Sequence, residues 1–258
     1  MRQFGTFELA VPLAAALGLA VLLGLGANHT VFFWINGFSR WTGDALWSNL
    51  TLCGDTLVVL SLLLPFARQQ RQWLWACLLA ALLASVWTHV PKHFWPMPRP
   101  AGVLAPDLIH IIGPVLKTSS FPSGHTTAIF TLAGLLALGP LQKNWQRALV
   151  LLLAVLVGLS RSAVGAHWPQ DLLAGAFGGW LSALLALRWS AHWRWPETKA
   201  AAWIGQGILL ACSLSLFWHE TGYPAVKPLQ YLIAISTLAL WGYQVGTGKK
   251  TSPPLSAG

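Results

Sequence analysis

Long apolar runs, almost free of charge, decide what this chain can become. They lie at about 8–27, 48–66, 73–91, 123–140, 147–165, 168–188, 201–218 and 228–245. A helix of about 20 apolar residues crosses a bilayer and satisfies its own backbone hydrogen bonds there, which other open structures cannot do. Eight such runs predict eight spans and an all-α, polytopic membrane helix bundle. Composition agrees, with 55% of the 258 residues hydrophobic and 9% charged, against about 25% charged in a soluble domain. A water-soluble globule would lack the charges to cover its surface. The 16 Trp residues gather near the run ends, where an indole ring suits the headgroup level.

Lys and Arg number 16 against 7 Asp and Glu. No basic run exceeds two residues and no basic amphipathic helix is present, so nucleic acid is not expected as a partner. The excess reads as topogenic charge. With a cytoplasmic N-terminus, Arg2, Arg68, Arg71, Lys143, Arg147, Arg188, Arg194, Lys199, Lys249 and Lys250 fall inside, and Arg40, Lys92, Arg99, Lys117, Arg161 and Lys227 outside, ten against six. Both termini are therefore expected in the cytoplasm. The first run reads as an uncleaved anchor, since no clean small-residue cleavage site follows it. Cys53, Cys77 and Cys212 sit inside apolar runs and read as small buried hydrophobes.

Three connections differ from the rest. Residues 28–47 mix Phe32, Phe33, Trp34, Trp41 and Trp47 with polar residues, the pattern of a surface-lying or re-entrant segment. Residues 92–122 form the longest loop, a length that usually carries function. The tail 246–258 has a disordered composition.

Three polar clusters interrupt the apolar text at span ends on the same expected side. They are Lys92 to Pro100, with Arg99 within it; Pro122-Ser123-Gly124-His125; and Ser160-Arg161 followed by His167 and Asp171. Lys92, Arg99 and Arg161 would suit a multiply charged oxyanion, guanidinium groups matching phosphate oxygens in pairs. Pro122 and Ser123 open a helix, so the amides around Ser123, Gly124 and His125 would face an anion. His167 and Asp171 are four apart at the start of a span and share a face. The carboxylate can then fix the imidazole tautomer and leave the other nitrogen as a nucleophile, with His125 available to move a proton. Three basic side chains can neutralise the charge of phosphoryl transfer, so the arrangement calls for no metal and no other cofactor.

The pattern K-x6-RP, PSGH and SR-x5-H-x3-D resembles that of the type 2 phosphatidic acid phosphatase (PAP2) superfamily of membrane lipid phosphatases. Lys92, Arg99 and Pro100, then Pro122 to His125, then Ser160, Arg161, His167 and Asp171 meet all eleven specified positions in order. The resemblance implies a six-helix core with an outward-facing pocket, in which His167 is the nucleophile, His125 the general acid and Asp171 the group orienting His167. Lys92, Arg99, Ser123, Gly124 and Arg161 would hold the phosphate. It further implies a phosphorylated membrane lipid as substrate and a bacterial inner (plasma) membrane as location. Candidate substrates are undecaprenyl diphosphate, phosphatidylglycerol phosphate, phosphatidate and lipid A. Residues 1–190 would form this core, 191–245 a two-helix transmembrane extension beyond the usual six, and 246–258 a cytoplasmic tail.

Other readings remain open at this level. A phosphotransferase would use the same nucleophile and pass phosphate to a second lipid, and a non-catalytic transporter or flippase would bind the lipid only. A zinc site on His125, His167 and Asp171 is disfavoured by the neighbouring cations. Haloperoxidase-like chemistry is remote for an integral membrane chain. Asp55, His89 and His93 are candidates for the pocket mouth, a plain interfacial position being the other reading for Asp55 and the preferred one for the two histidines, while nothing in the sequence ties His219 or Glu220 to chemistry.

Overall fold

A computed structural model of the chain describes residues 5–68 and 70–247, and all regular structure among them is helical. The helices are α1 (Thr6–Gly24), α2 (Asn28–Thr42), α3 (Asp44–Leu52), α4 (Thr56–Ser61), α5 (Arg71–Phe94), α6 (Pro100–Val103), α7 (Gly124–Leu138), α8 (Asn144–Ala163), α9 (Pro169–Ser190), α10 (Lys199–Ser215) and α11 (Lys227–Thr247). The expected all-α membrane bundle is the architecture found.

The span count is different. Four helices, α1, α5, α8 and α9, are long and apolar enough to cross a membrane, and a fifth span follows if Asp44–Leu52 and Thr56–Phe66, bent by 55°, are taken together. The second apolar run is broken because Gly54 lies at a crossing of elements. A Cβ there would stand 2.9 Å from Val157 Cγ1 and 3.0 Å from His125 Cβ, so the chain turns where a side chain has no room. The fourth run yields the shorter apolar helix α7, and the last two yield α10, with 17 residues, and α11, which carries Lys227, Gln230 and Gln244. Residues 28–47, read as a surface-lying or re-entrant segment, form α2 and the start of α3, with Phe32, Asn36 and Ser39 buried along α2. The tail expected to be disordered begins later than 246, since α11 continues to Thr247, and 248–258 lie outside the described residues.

Helix α9 is the centre of the bundle, packed on α7, α5 and α1. Small residues permit the approach. A Cβ on Gly175 would lie 2.8 Å from the Ser123 carbonyl oxygen, and one on Gly134 would lie 2.8 Å from Ala183 Cβ. Helices in lipid gain little from hydrophobicity against each other and depend on such close contact. At one end α1 and α9 are tied by Arg188 Nη2 to Glu8 Oε2 at 2.8 Å and by Trp180 Nε1–H to the Glu8 carbonyl at 2.8 Å. The opposite end gathers the last turn of α5, the starts of α7 and α9 and the end of α8. Helices α10 and α11 close the bundle beside α4, burying Leu216, Val226 and Ala234 against Leu52 and Val58.

Candidate active site

The 95–122 loop is ordered around one side chain. Arg99 is 8% exposed, and its guanidinium donates to the carbonyls of Thr118 (2.8 Å), Ser119 (3.2 Å) and Ala166 (3.1 Å). Its backbone N–H donates to the Lys117 carbonyl at 2.9 Å. None of these acceptors carries a full negative charge, so the site keeps the cation's field. Burial and then the charge of Arg161 lower the Arg99 pKa to about 10.

Arg99 Nη1 also lies 3.2 Å from His167 Nε2. On the other side of that ring, Nδ1 stands 3.2 Å from Asp171 Oδ2. The carboxylate therefore accepts a hydrogen bond from Nδ1–H, and Nε2 keeps its lone pair toward the guanidinium. His167 is 2% exposed and Asp171 fully buried. Burial, followed by the charges of Arg99 and Arg161, holds the imidazole well below its ordinary range, so it is neutral near pH 7. Asp171 stands at the third position of α9, after Pro169 at the first, and its Oδ2 also accepts from the Trp168 amide (2.9 Å) and the Ser120 hydroxyl (2.5 Å). Ser120 was not singled out by the sequence, because a lone serine in a long loop carries no spacing signal.

The turn that carries His167 is fixed from behind. Ser162 Oγ donates to the His167 carbonyl at 2.9 Å. Asn36 of α2 donates to the Ser162 and Ala163 carbonyls at 3.3 and 3.0 Å, and Trp168 stacks on His29 with ring centroids 4.5 Å apart. Helix α2 is thus a brace for the α8–α9 turn.

Helix α7 begins at Ser123, whose Oγ accepts from Thr126 N–H and Thr126 Oγ1 at 3.4 and 3.0 Å. The Ser123 N–H donates to the Asp171 carbonyl at 3.0 Å, so it is not the anion donor expected of it. Its hydroxyl proton is the group it can offer. The amides of Gly124 and His125 remain as first-turn donors that no carbonyl of the helix can reach. Lys92, in the last turn of α5, stands over them, 3.8 Å from where a Gly124 Cβ would be.

His125, Gly124 and Lys92 form the polar end of a cleft of about 370 Å³ between α4, α5 and α7. Leu60, Ala84 and Ala128 line its apolar end. His89 lines the cleft too, held by Nδ1 to the Ser85 carbonyl at 2.8 Å. His93 does not line it, being exposed and edge-on to Phe94. Asp55 is also turned away. Its Oδ1 caps α4 through the Leu57 amide at 2.8 Å, and its Oδ2 pairs with His219 Nε2 at 3.0 Å.

The third cation, Arg161, is 2% exposed. Its Nη1 donates to the Tyr223 hydroxyl at 2.7 Å, and its guanidinium lies 5.5 Å from the centre of that ring. Both Tyr223 and His219 belong to the connection between α10 and α11, and sequence reasoning assigned neither to the site.

Residues 72–195 match the family profile described as PAP2 superfamily. The chain is 32% identical over 164 residues to an undecaprenyl-diphosphatase of Sulfolobus acidocaldarius, covering 62% of this chain and 77% of that protein. It is 38% identical over 98 residues to a lipid A 1-phosphatase of Rhizobium etli, covering 34% of this chain and 41% of that protein. The crystal structure of LpxE from Aquifex aeolicus is similar with a TM-score of 0.57 and 30% identity, over 62% of this chain and 94% of that one. The motif residues from Lys92 to Asp171 fall inside the family match, whereas His219 and Tyr223 lie beyond its end at residue 195.

Proposed function

This chain belongs to the PAP2 superfamily, and from that premise we propose that it is a membrane lipid phosphatase acting on a lipid diphosphate, undecaprenyl diphosphate foremost, through a phosphohistidine on His167. The undecaprenyl-diphosphatase relative is 32% identical and matched over 77% of its length, which supports a lipid diphosphate. The observation that carries the reading is the double hold on His167, with Nδ1 on Asp171 and Nε2 on Arg99, each at 3.2 Å.

In the first step Nε2 attacks the terminal phosphorus. The N–P bond forms as the bond to the lipid monophosphate oxygen breaks, and His125 protonates that oxygen. Asp171 keeps the Nδ1 proton in place and stabilises the charge the ring acquires. In the second step water attacks phosphorus, His125 takes its proton, and the N–P electron pair returns to Nε2 as phosphate leaves. Lys92, Arg99, Arg161 and the α7 amides balance the charge on the phosphoryl oxygens throughout. The lipid chain runs from the polar end of the cleft into its apolar end. The count of basic residues supports an orientation with both termini cytoplasmic and the site facing the exterior or periplasm.

The purified protein, in detergent with chelator, is offered undecaprenyl diphosphate, phosphatidylglycerol phosphate, phosphatidate and lipid A. Phosphate release should be fastest from the first, and His167→Ala should lose at least about 10³-fold. Strict dependence on a divalent cation, or turnover that survives the substitution, would overturn the mechanism. Faster release from lipid A would reassign the substrate. Labelled phosphate appearing in an added acceptor lipid would make the enzyme a transferase.

A further inference from the structure

The helices beyond the family match reach into the phosphate site through one side chain. We propose that Tyr223 is a positioning residue for phosphate binding: the α10–α11 hairpin supplies a neutral hydroxyl that fixes the Arg161 guanidinium without cancelling its charge. The inference rests on the phosphatase reading above.

Arg161 is nearly fully buried, yet among the described residues no carboxylate pairs with it. An Asp or Glu in the place of Tyr223 would hold the guanidinium more strongly and compete with an anionic ligand. A phenol accepts one hydrogen bond, at 2.7 Å, and leaves a full positive charge for phosphate. The ring beneath the guanidinium adds attraction without charge. Arg161 Nε is buried with no partner, so a donor of this side chain remains to be used by a ligand.

The hydroxyl is placed with care by its surroundings. The Tyr223 ring packs on Gly113, where φ is +82° and a Cβ would lie 2.6 Å from Tyr223 Cδ1. It also packs among Trp47, Ile112 and Val164. The connection itself is pinned at three points. Lys227 Nζ donates to the His219 carbonyl at 2.8 Å, Gln230 Nε2 donates to the same carbonyl at 2.9 Å, and the His219 ring meets Asp55 at 3.0 Å. A connection held this firmly can transmit its own position to Arg161.

The test compares wild type with Tyr223→Phe, which keeps the ring and removes the hydroxyl. Lipid diphosphate turnover and calorimetric binding of inorganic phosphate are both measured. The variant should raise KM and the phosphate Kd by about 3–10-fold, with kcat within about twofold. Arg161→Ala combined with Tyr223→Phe should be no worse than Arg161→Ala alone, because the tyrosine acts through the arginine. Wild-type KM and phosphate Kd in Tyr223→Phe, or additive losses in the double variant, would overturn the inference and leave the phosphatase reading standing. Phosphate binding that weakens in Tyr223→Phe while wild type hydrolyses no lipid would refute the phosphatase reading and keep the clamp. Should Tyr223→Phe not purify, Gly113→Ala pushes the same ring from the loop side and should also weaken phosphate binding; undiminished binding there would equally overturn the proposal.

Discussion

The Ser123 amide donates to the Asp171 carbonyl at 3.0 Å, joining by backbone alone the helix start that carries His125 and the one that carries His167. His125 is thus held on the first turn of α7, and His167 on the short turn that leads into α9. Gly175, one turn into α9, lies against this junction, where a Cβ would meet the Ser123 carbonyl at 2.8 Å and Thr126 Cβ at 2.9 Å.

Gly175→Ala should therefore force α7 and α9 apart beside this junction. Overpacking of this kind costs about 1–3 kcal/mol, and turnover should fall with stability because both histidines move. Gly207→Ala in α10, where nothing lies within 4 Å of the added atom, should match or exceed wild type, helix propensity favouring Ala by up to about 1 kcal/mol. Thermal unfolding in detergent, read beside phosphate release, checks both.

Asp171→Asn should preserve the fold and lower kcat by about 10²–10⁴-fold, since an amide can present its NH₂ to Nδ1 and reverse the tautomer. Ser120→Ala removes one of three donors to Oδ2 and should lower kcat by about 3–10-fold, the worth of one hydrogen bond. Steady-state kinetics with unchanged KM would show that both act on the nucleophile and not on binding.

The residues proposed for catalysis could be singled out in the sequence because the proposed chemistry calls for fixed residue types at fixed intervals. Lys92 with Arg99, the Ser123–His125 segment, and Arg161 with His167 and Asp171 all occupy the ends of elements that the bundle brings to one side. Tyr223 had no such interval, since its partner lies 62 positions away on an element outside the motif. Asp55 was misplaced for a related reason: its carboxylate is consumed by a helix cap and by His219, both created by tertiary packing. The eight spans expected stand beside four helices, or five with the bent pair, that are long and apolar enough to cross a membrane among the described residues. Gly54 breaks an apolar run because α7 and α8 crowd it, and hydropathy does not register crowding.

The pH dependence follows from the His167 environment. Its pKa is lowered, first by burial and then by Arg99 and Arg161. The neutral, nucleophilic form therefore persists as pH falls, and the acid limb of kcat/KM assigned to it should lie below pH 6.5. Removing a nearby positive charge eases protonation, so in Arg99→Gln the limb should move upward toward 6.5 while overall activity drops. A limb that moves downward, or stays in place, would show that Arg99 does not face the imidazole in solution.

The cleft separates lipid recognition from phosphate chemistry. Ala84 and Ala128 line it and are 7% and 9% exposed, and Lys92, Gly124 and His125 line it as well. Enlarging either residue to Leu fills part of that space. Ala84→Leu and Ala128→Leu should raise KM for a long-chain lipid diphosphate by about tenfold, since the loss of contact for two methylene groups is worth about 1.6 kcal/mol. A short, water-soluble phosphate ester has no chain to place there, so its hydrolysis should stay within about twofold of wild type. Equal losses on both substrates would mean that the substitutions disturb α5 and α7 themselves. Unchanged KM on the lipid would mean that the chain leaves the site by another route, and the apolar end of the cleft would then have no part in binding.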